Sequence, residues 1–365
     1  MKVERLHIRQ FRNIEEADLI PSPEINLLYG ENAQGKTNLL EALWLFTGGR
    51  SFRGVKDAEL PRFGEAKAVL QGEFFTDDRH QQVTITVDRR RKAIVNGVEM
   101  PAMSRMVGRF PAVVFFPDHL TLIKAGPDGR RRFMDAALCQ LRPAYIQSVA
   151  AYNRVLTQRN ALLRQWHARP SEELLAALTD KLAEYGQQIV KNRLDYTNRL
   201  QETAVERYNG LSGGQEQLSL AYEPTRHYDE LSDADCRVRL REEWDAHRKA
   251  DVEAGFTTVG PHREDLYVRI DGRSARLYGS QGQQRSAVLA LKLAEAAILR
   301  ETTGKRPAVL LDDVMSELDA SRQAYIVSQL AGWQVFITCC DPTTIWSSVE
   351  GKRFHVKHGT LTEEG

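Results

Sequence analysis

Gly30-Glu31-Asn32-Ala33-Gln34-Gly35-Lys36-Thr37 (residues 30–37) has the form G-x-x-x-x-G-K-[ST], and its flanks decide how it is read. INLLYG (25–30) is a short apolar strand ending in glycine, and NLLEALWLF (38–46) is an apolar helix. A strand, a glycine loop and a helix in that order make a phosphate cradle. The glycines let backbone N–H groups wrap an anion, and the helix N-terminus favours negative charge. In this reading Lys36 reaches the β- and γ-phosphates, the Thr37 hydroxyl ligates Mg²⁺, and Asn38 follows at the first turn of the helix.

Such a loop needs a carboxylate for the metal at the end of a buried strand. AVLLDDVMSELD (308–319) offers Asp312 as the metal partner and Asp313 as the group that orients or deprotonates the attacking water. Lys36 and Asp312 lie near opposite ends of the chain, much farther apart than in compact folds of this type, so a large segment is inserted mid-fold. The stretches 144–168 and 171–208 carry apolar residues at helical spacing, broken by Arg169-Pro170. They predict two antiparallel helices, the longer reaching roughly 50 Å, enough to project from a globular body. The expected layout is a first half of an α/β head (1–115), an inserted, mainly helical arm (116–250) and a second half of the head (251–365).

LSGGQ (211–215) matches the signature that contacts ATP across the dimer interface of ABC-type ATPases. A signature serine must open a helix so that its hydroxyl and nearby N–H groups face another subunit's γ-phosphate. EQLSLAYEP, which follows Gln215, alternates like a strand. Ser280-Gln281-Gly282-Gln283 leads directly into the apolar-faced helix SAVLALKLAEAAILRE and stands much closer to Asp312. SQGQ is therefore the expected working signature, with Ser280, Gly282 and Gln283 as its contacts.

The bulk properties exclude little. The chain has 365 residues, 42% hydrophobic and 27% charged, with a net charge of +1. No apolar run approaches the roughly 18–20 residues of a membrane span, and MKVERLHIRQ lacks a signal-peptide core, so the chain reads as cytosolic. Four cysteines without a CxxC pair suggest neither a zinc ribbon nor a disulfide framework. From Arg130 to Arg169 there are eight arginines (130, 131, 132, 142, 154, 159, 164, 169), no lysine and one acid, Asp135. The run is either a solvated helix face or a phosphate-contacting surface, with Arg130, Arg131 and Arg132 its candidate DNA contacts.

GENAQGKTNLLEALW (30–44), FFPDHLTLIKAGPDGRRRFMD (115–135), TVGPHREDL (258–266), GSQGQQRSAVLALKLAE (279–295) and LLDDVMSELD (310–319) together resemble the RecF family of bacterial recombination mediators, within the ABC-type ATPases related to SMC proteins. The resemblance covers nearly the whole chain. It implies an ABC-type P-loop ATPase head with an inserted helical lever-arm domain, two copies of which dimerise on ATP and Mg²⁺. It also implies binding of duplex DNA near single-strand gaps, at single-strand/double-strand junctions, and work with RecR and RecO to help load RecA. FRN (11–13) resembles the segment flanking the nucleotide, which nominates Arg12 and Asn13. Ser316-Glu317-Leu318-Asp319 resembles the D-loop at the dimer seam. Asp118 stands in the place of the Q-loop glutamine, which leaves its role at the metal open. For His262 and Arg263 in GPHREDL no complete account emerges from the residues.

Two departures from the wider ABC pattern bear on turnover. Asp313 replaces the usual glutamate, as in RecF proteins, and Cys339-Cys340 follow the strand QVFIT where a switch histidine is usual. Both point to slow hydrolysis, which suits a clamp better than a motor, and the resemblance implies a DNA-stimulated ATPase in the cytoplasm, associated with the nucleoid. The alternatives are an ATPase subunit of an ABC transporter, against which stand the insertion and the missing Q-loop glutamine, and a DNA-binding scaffold that binds ATP without hydrolysing it. A cohesin-like head would carry a far longer coiled coil.

Overall fold

The computed structural model describes residues 1–168, 170–223, 231–341 and 351–364. The chain opens with β1 (Lys2–Phe11), β2 (Ile14–Leu19) and β3 (Ile25–Tyr29), followed by α1 (Lys36–Leu45). Next come β4 (Ala68–Thr76), β5 (Arg79–Val87), β6 (Arg91–Val95), the two-residue β7 (Val98–Glu99) and β8 (Ala112–Phe115). Helices α2 (Pro127–Leu141), α3 (Tyr145–Arg164) and α4 (Glu172–Ser212) precede β9 (Leu218–Glu223), α5 (Asp233–Ala246) and α6 (Arg248–Ala254). Then β10 (Asp265–Ile270) and β11 (Arg273–Ser274) lead into α7 (Ala275–Tyr278) and α8 (Gln281–Thr303). The last elements are β12 (Ala308–Asp312), α9 (Ala320–Gln329), β13 (Val335–Cys339), β14 (Gly351–Lys357) and β15 (Thr360–Glu364).

Two compact units result: 1–121 with 207–214 and 285–365, and 122–206 with 215–284. They are drawn differently from the segments 1–115, 116–250 and 251–365. Residues 251–284 fall in the second unit because β10 pairs with β9 along its whole length and Asp251 is bonded to Arg159.

The first unit holds two six-stranded sheets. One is antiparallel, ordered β2-β1-β4-β5-β6-β7, and its strands alternate buried and exposed positions, as suits a sheet with one wet face. The other is ordered β15-β14-β3-β13-β12-β8 and is parallel except for the edge pair β14–β15. Its β8, β12 and β13 are buried at every position, the mark of a sheet covered on both faces. One core joins Leu6, Ile8 and Phe11 of β1, Leu70 and Phe74 of β4, Leu39, Leu40 and Leu43 of α1, and Leu310 and Phe336 of the parallel sheet.

In the second unit α3 and α4 are antiparallel. Arg142, at the end of α2, is bonded to Asn192 and Asp195, Ser148 to Gln188, and Arg159 to Thr179, a ladder whose two sides run in opposite directions. At 1.5 Å per residue the 41-residue α4 is about 60 Å long. Within this unit its Leu175, Leu182, Ile189, Tyr196 and Leu200 are buried. No helix among the described residues is long and apolar enough to cross a membrane.

Candidate functional site

Strand order sets up the first unit's site. In β3-β13-β12 the register places Asp312 beside Thr338 and Cys339 beside Tyr29, so the residues after all three strands emerge together at their carboxyl ends. In α/β sheets that edge is where ligands bind. Gly30 turns the chain out of β3 at φ 148°, and a Cβ there would sit 2.3 Å from the Val356 carbonyl oxygen. Gly35 adopts φ 116°, and a Cβ would strike the Asn13 side chain at 2.8 Å. Neither position accepts another residue, which is why the loop stays open enough to wrap an anion.

Lys36 opens α1 and is only 7% exposed. Its Nζ donates to the carbonyls of Gly30 at 2.5 Å and Glu31 at 2.8 Å and lies 3.9 Å from Cys340 Sγ. The ammonium is thus folded back over its own loop. The Asn13 Nδ2 donates to the Ala33 carbonyl at 3.3 Å, and its Oδ1 accepts from Asn38 at 2.7 Å. Gln34 accepts from His358 N–H at 2.6 Å. Arg12 has its partner on α1. Its guanidinium grips the fully buried carboxylate of Glu41 with two 2.9 Å bonds, tying the end of β1 to α1.

Asp312 is 5% exposed, and its Oδ1 accepts from both Thr37 and Thr338 at 2.8 Å. Burial pushes its pKa up and the charge of Asp313 adds to this, while the two hydroxyls oppose the shift. A buried carboxylate so placed is best relieved by a cation. One carboxylate and one hydroxyl would suit Mg²⁺, a hard cation commonly held by only one or two protein oxygens. Asp313 stands at φ 51°, its N–H on Thr338 Oγ1 at 2.9 Å and its carboxylate accepting from Ser316 at 3.0 Å. Asp319 caps α9 by accepting from Arg322 N–H at 3.0 Å. Asp118 is exposed in a 3₁₀ turn over 117–121.

Two contributors carry no sequence motif. Thr338 is a buried strand residue, and only the β12–β13 register shows it sharing Asp312 with Thr37. Arg53, on the loop after α1, donates to Asn38 Oδ1 at 3.0 Å, and its charge lowers the pKa of Asp312.

The second unit holds Ser280, Gly282 and Gln283. Ser280 Oγ accepts from Gln283 N–H at 3.2 Å while Gln283 Oε1 accepts from Ser280 N–H at 2.7 Å, a reciprocal capping box that opens α8. Ser280 is exposed, as are Leu277 and Tyr278 just before it, each 71%. Ser212, by contrast, is the last residue of α4, and β9 follows. Its Oγ is buried without a hydrogen-bond partner.

The arginine run is not one basic face. Arg130 is 4% exposed, bonded to Asp265 by two 2.7 Å contacts and to the carbonyls of Leu122, Ile123 and Ala125. Arg159 is 1% exposed and bonded to Asp251 and Thr257, both at 2.7 Å. Arg131 donates to the Glu264 carbonyl at 2.6 Å and pairs with Asp128, and Arg142 pairs with Asp195. This corrects the reading of Arg130 as a phosphate contact: its donors are spent holding the unit together, while Arg131 is partly engaged by the Glu264 carbonyl and Asp128. Arg132, Arg154 and Arg164 are exposed, and Arg169 lies outside the described residues. Arg130→Ala is therefore expected to lower stability by about 3–5 kcal/mol, since it strands Asp265 and three carbonyls. Arg132→Ala should leave the thermal midpoint unchanged; equal midpoints for the two variants would contradict this placement.

The same packing accounts for GPHRED. The Gly260 Cβ position is 2.7 Å from the Trp244 ring, and the Pro261 carbonyl accepts from Arg193 at 2.7 Å. His262 lies between Tyr152 OH (2.7 Å) and the Thr257 carbonyl (3.1 Å), and burial pushes its pKa down to about 4. A neutral ring accepting from Tyr152 and donating to Thr257 satisfies both contacts. Glu264 accepts from Tyr222, and Asp265 holds Arg130. Arg263 lies with its guanidinium 5.0 Å from the Phe256 ring centroid.

Residues 2–360 match the model of the RecF/RecN/SMC N-terminal domain family. The chain is 36% identical to the DNA replication and repair protein RecF of Halalkalibacterium halodurans, covering 100% of both chains. It is 39% identical to that of Syntrophotalea carbinolica, covering 100% of this chain and 99% of the relative. Among solved structures it is similar to the recombination mediator protein RecF-ATPrS in the RecFOR pathway, at TM-score 0.93 and 36% identity over 100% of this chain and 98% of the other. An Smc head bound to the C-winged helix domain of ScpA, at TM-score 0.59 and 14% identity over 100% of this chain and 97% of the other, shares the fold alone. The fold is that of an ABC-type ATPase head.

Proposed function

The chain belongs to the RecF family, and we propose that it is an ATP-dependent DNA clamp of recombinational repair and replication restart. The observation that carries this is the junction of Gly30–Thr37 with Asp312 through the 2.8 Å contact of Thr37. The full-length similarity to RecF proteins, including the RecF-ATP structure, supports ATP as the ligand. In this reading the loop from Gly30 to Thr37 wraps the phosphates, and Lys36 leaves its two carbonyls for the β- and γ-phosphates. Thr37 and Asp312 would hold Mg²⁺, which would supply positive charge to the phosphates. Asp313 orients the water and takes its proton. Asn13 and Asn38 brace the loop, and Arg12 acts through Glu41.

Ser280, Gly282 and Gln283 complete the site of a second copy, with Leu277, Tyr278 and the segment 316–319 near the seam. The exposed capping serine and its two exposed apolar neighbours support this. An aspartate base is one methylene shorter than glutamate, and Cys340 stands where a switch histidine is usual, so turnover is slow and DNA-stimulated. Duplex DNA and single-strand/double-strand junctions are the target, RecR and RecO the partners, and RecA the protein whose loading is helped. Arg132 remains a phosphate contact in this proposal. The segment 116–250 acts as the lever arm between the head halves 1–115 and 251–365, at work in the cytoplasm on the nucleoid.

The test pairs DNA-binding anisotropy with steady-state phosphate release. Tight binding to a gapped duplex is expected only with ATP and Mg²⁺, and phosphate release should be slow and raised by DNA. DNA binding indifferent to ATP would refute the clamp. ATP-dependent binding without any phosphate release would establish the non-hydrolysing scaffold instead.

A further inference from the structure

The first unit carries a second concentration of positive charge, outside the arginine run, in Asp88-Arg89-Arg90-Arg91-Lys92 at the tip of the β5–β6 hairpin. The register explains what it meets. Ala68 of β4 pairs with Val87, and Val87 pairs with Arg91, so Lys67 reaches the same end of the sheet as the hairpin tip. Arg91 does not face solvent. Its side chain is 5% exposed, pairs with Asp57 at 2.9 Å and donates to the Gly49 carbonyl. That clamp draws the loop from Gly49 to Asp57 against the hairpin, and the loop brings Arg50 and Lys56.

Arg50, Lys56, Lys67, Arg89, Arg90 and Lys92 are all exposed, and their side chains make no ion pair or hydrogen bond among the described residues. The acid between the two segments, Asp57, is already neutralised by Arg91, while Asp88 accepts from the Arg90 N–H at 2.8 Å. Asp88, Glu59 and Glu65 are exposed nearby in sequence, and these three acids do not balance six cations. Two rows of exposed cations on one sheet end, locked together by a buried arginine, suit a ligand with closely spaced charges on two strands. Within 49–57 and 88–92 the one aromatic residue, Phe52, is packed against Trp44 and Phe116, so no stacking platform stands among those cations, and the exposed Phe63 lies outside them on the loop before Lys67.

We propose that the β5–β6 hairpin tip and the loop clamped to it by Arg91 form a contact surface for the phosphate backbone of duplex DNA. This rests on the clamp reading above and assigns it a place. The test measures anisotropy of a fluorescent duplex against salt, with ATP and Mg²⁺, for the wild type and for Arg89→Ala/Arg90→Ala/Lys92→Ala. The triple variant is expected to bind roughly tenfold or more weakly, with the log–log salt slope reduced by roughly 1 per lost contact. Its thermal midpoint and binding of a fluorescent ATP analogue should match the wild type. If the wild type binds duplex and the variant keeps its affinity and slope, the hairpin assignment fails while the clamp stands. If the wild type does not bind duplex at all, the clamp reading fails first. Preference for a single strand, lost with Phe63→Ala at the exposed neighbouring loop, would overturn the duplex assignment. Competition by polyglutamate as effective as that by DNA would point instead to an acidic protein.

Discussion

Lys36→Met is expected to leave the protein monomeric under ATP and Mg²⁺ concentrations that dimerise the wild type. Methionine keeps the length and packing of the stem but removes the ammonium that now bridges the Gly30 and Glu31 carbonyls. A charge-assisted hydrogen bond contributes about 1.5–3 kcal/mol, so each site should lose roughly 10- to 100-fold in nucleotide affinity. A dimer that sandwiches two nucleotides loses that factor twice, which puts the assembly beyond reach of ordinary concentrations. Sizing with multi-angle light scattering reads the dimer, and a fluorescent nucleotide reads the monomer. Lys36→Arg separates the roles: it keeps the charge but offers a planar fork in place of a point charge, so binding should survive and turnover should stop. A Lys36→Met protein that dimerised and bound DNA like the wild type would remove the nucleotide from this loop.

The parts of this site legible in the sequence are those whose chemistry is local. Gly30–Thr37 announces itself because a strand, two glycines and a helix start must be contiguous, and the structure has β3 and α1 on either side. The start of α8 at Ser280 is legible for the same reason, since SQGQ runs directly into an apolar-faced helix, and the structure shows Ser280 and Gln283 capping it. Thr338 was not legible. Its contact with Asp312 exists only because β13 lies beside β12, and no spacing rule encodes that adjacency. The arginines show the opposite failure. Counting charge along 130–169 finds one acid, Asp135, yet the partners of Arg130 and Arg159 are Asp265 and Asp251, remote in sequence. A buried arginine takes its counter-charge from wherever the fold delivers it, so a local tally overstates the charge left for DNA. GPHRED was opaque because each of its residues serves a different neighbour: Trp244, Arg193, Tyr152, Phe256, Tyr222 and Arg130.

Ser280→Arg is expected to abolish ATP-dependent dimerisation while monomer nucleotide affinity stays close to that of the wild type. The exposed Ser280 leaves room for arginine in the monomer, at a cost of about 1 kcal/mol for the lost cap. In the dimer the same side chain would fill the place of the partner's γ-phosphate, and misplaced bulk in a closed interface costs several kcal/mol, so the association constant should fall by roughly 100-fold or more. Ser212 offers the contrast. It ends α4 instead of opening a helix, and its Oγ makes no hydrogen bond, so it has no N–H array behind it to present to an anion. Ser212→Ala should be neutral for dimerisation, whereas Ser280→Ala should weaken it. Ser212→Arg is judged beside its thermal midpoint, because that position is partly buried. A light-scattering titration of the four variants with ATP and Mg²⁺ decides between the two serines. Dimeric Ser280→Arg together with monomeric, fully folded Ser212→Ala would mean that the end of α4, and not the start of α8, faces the partner's nucleotide.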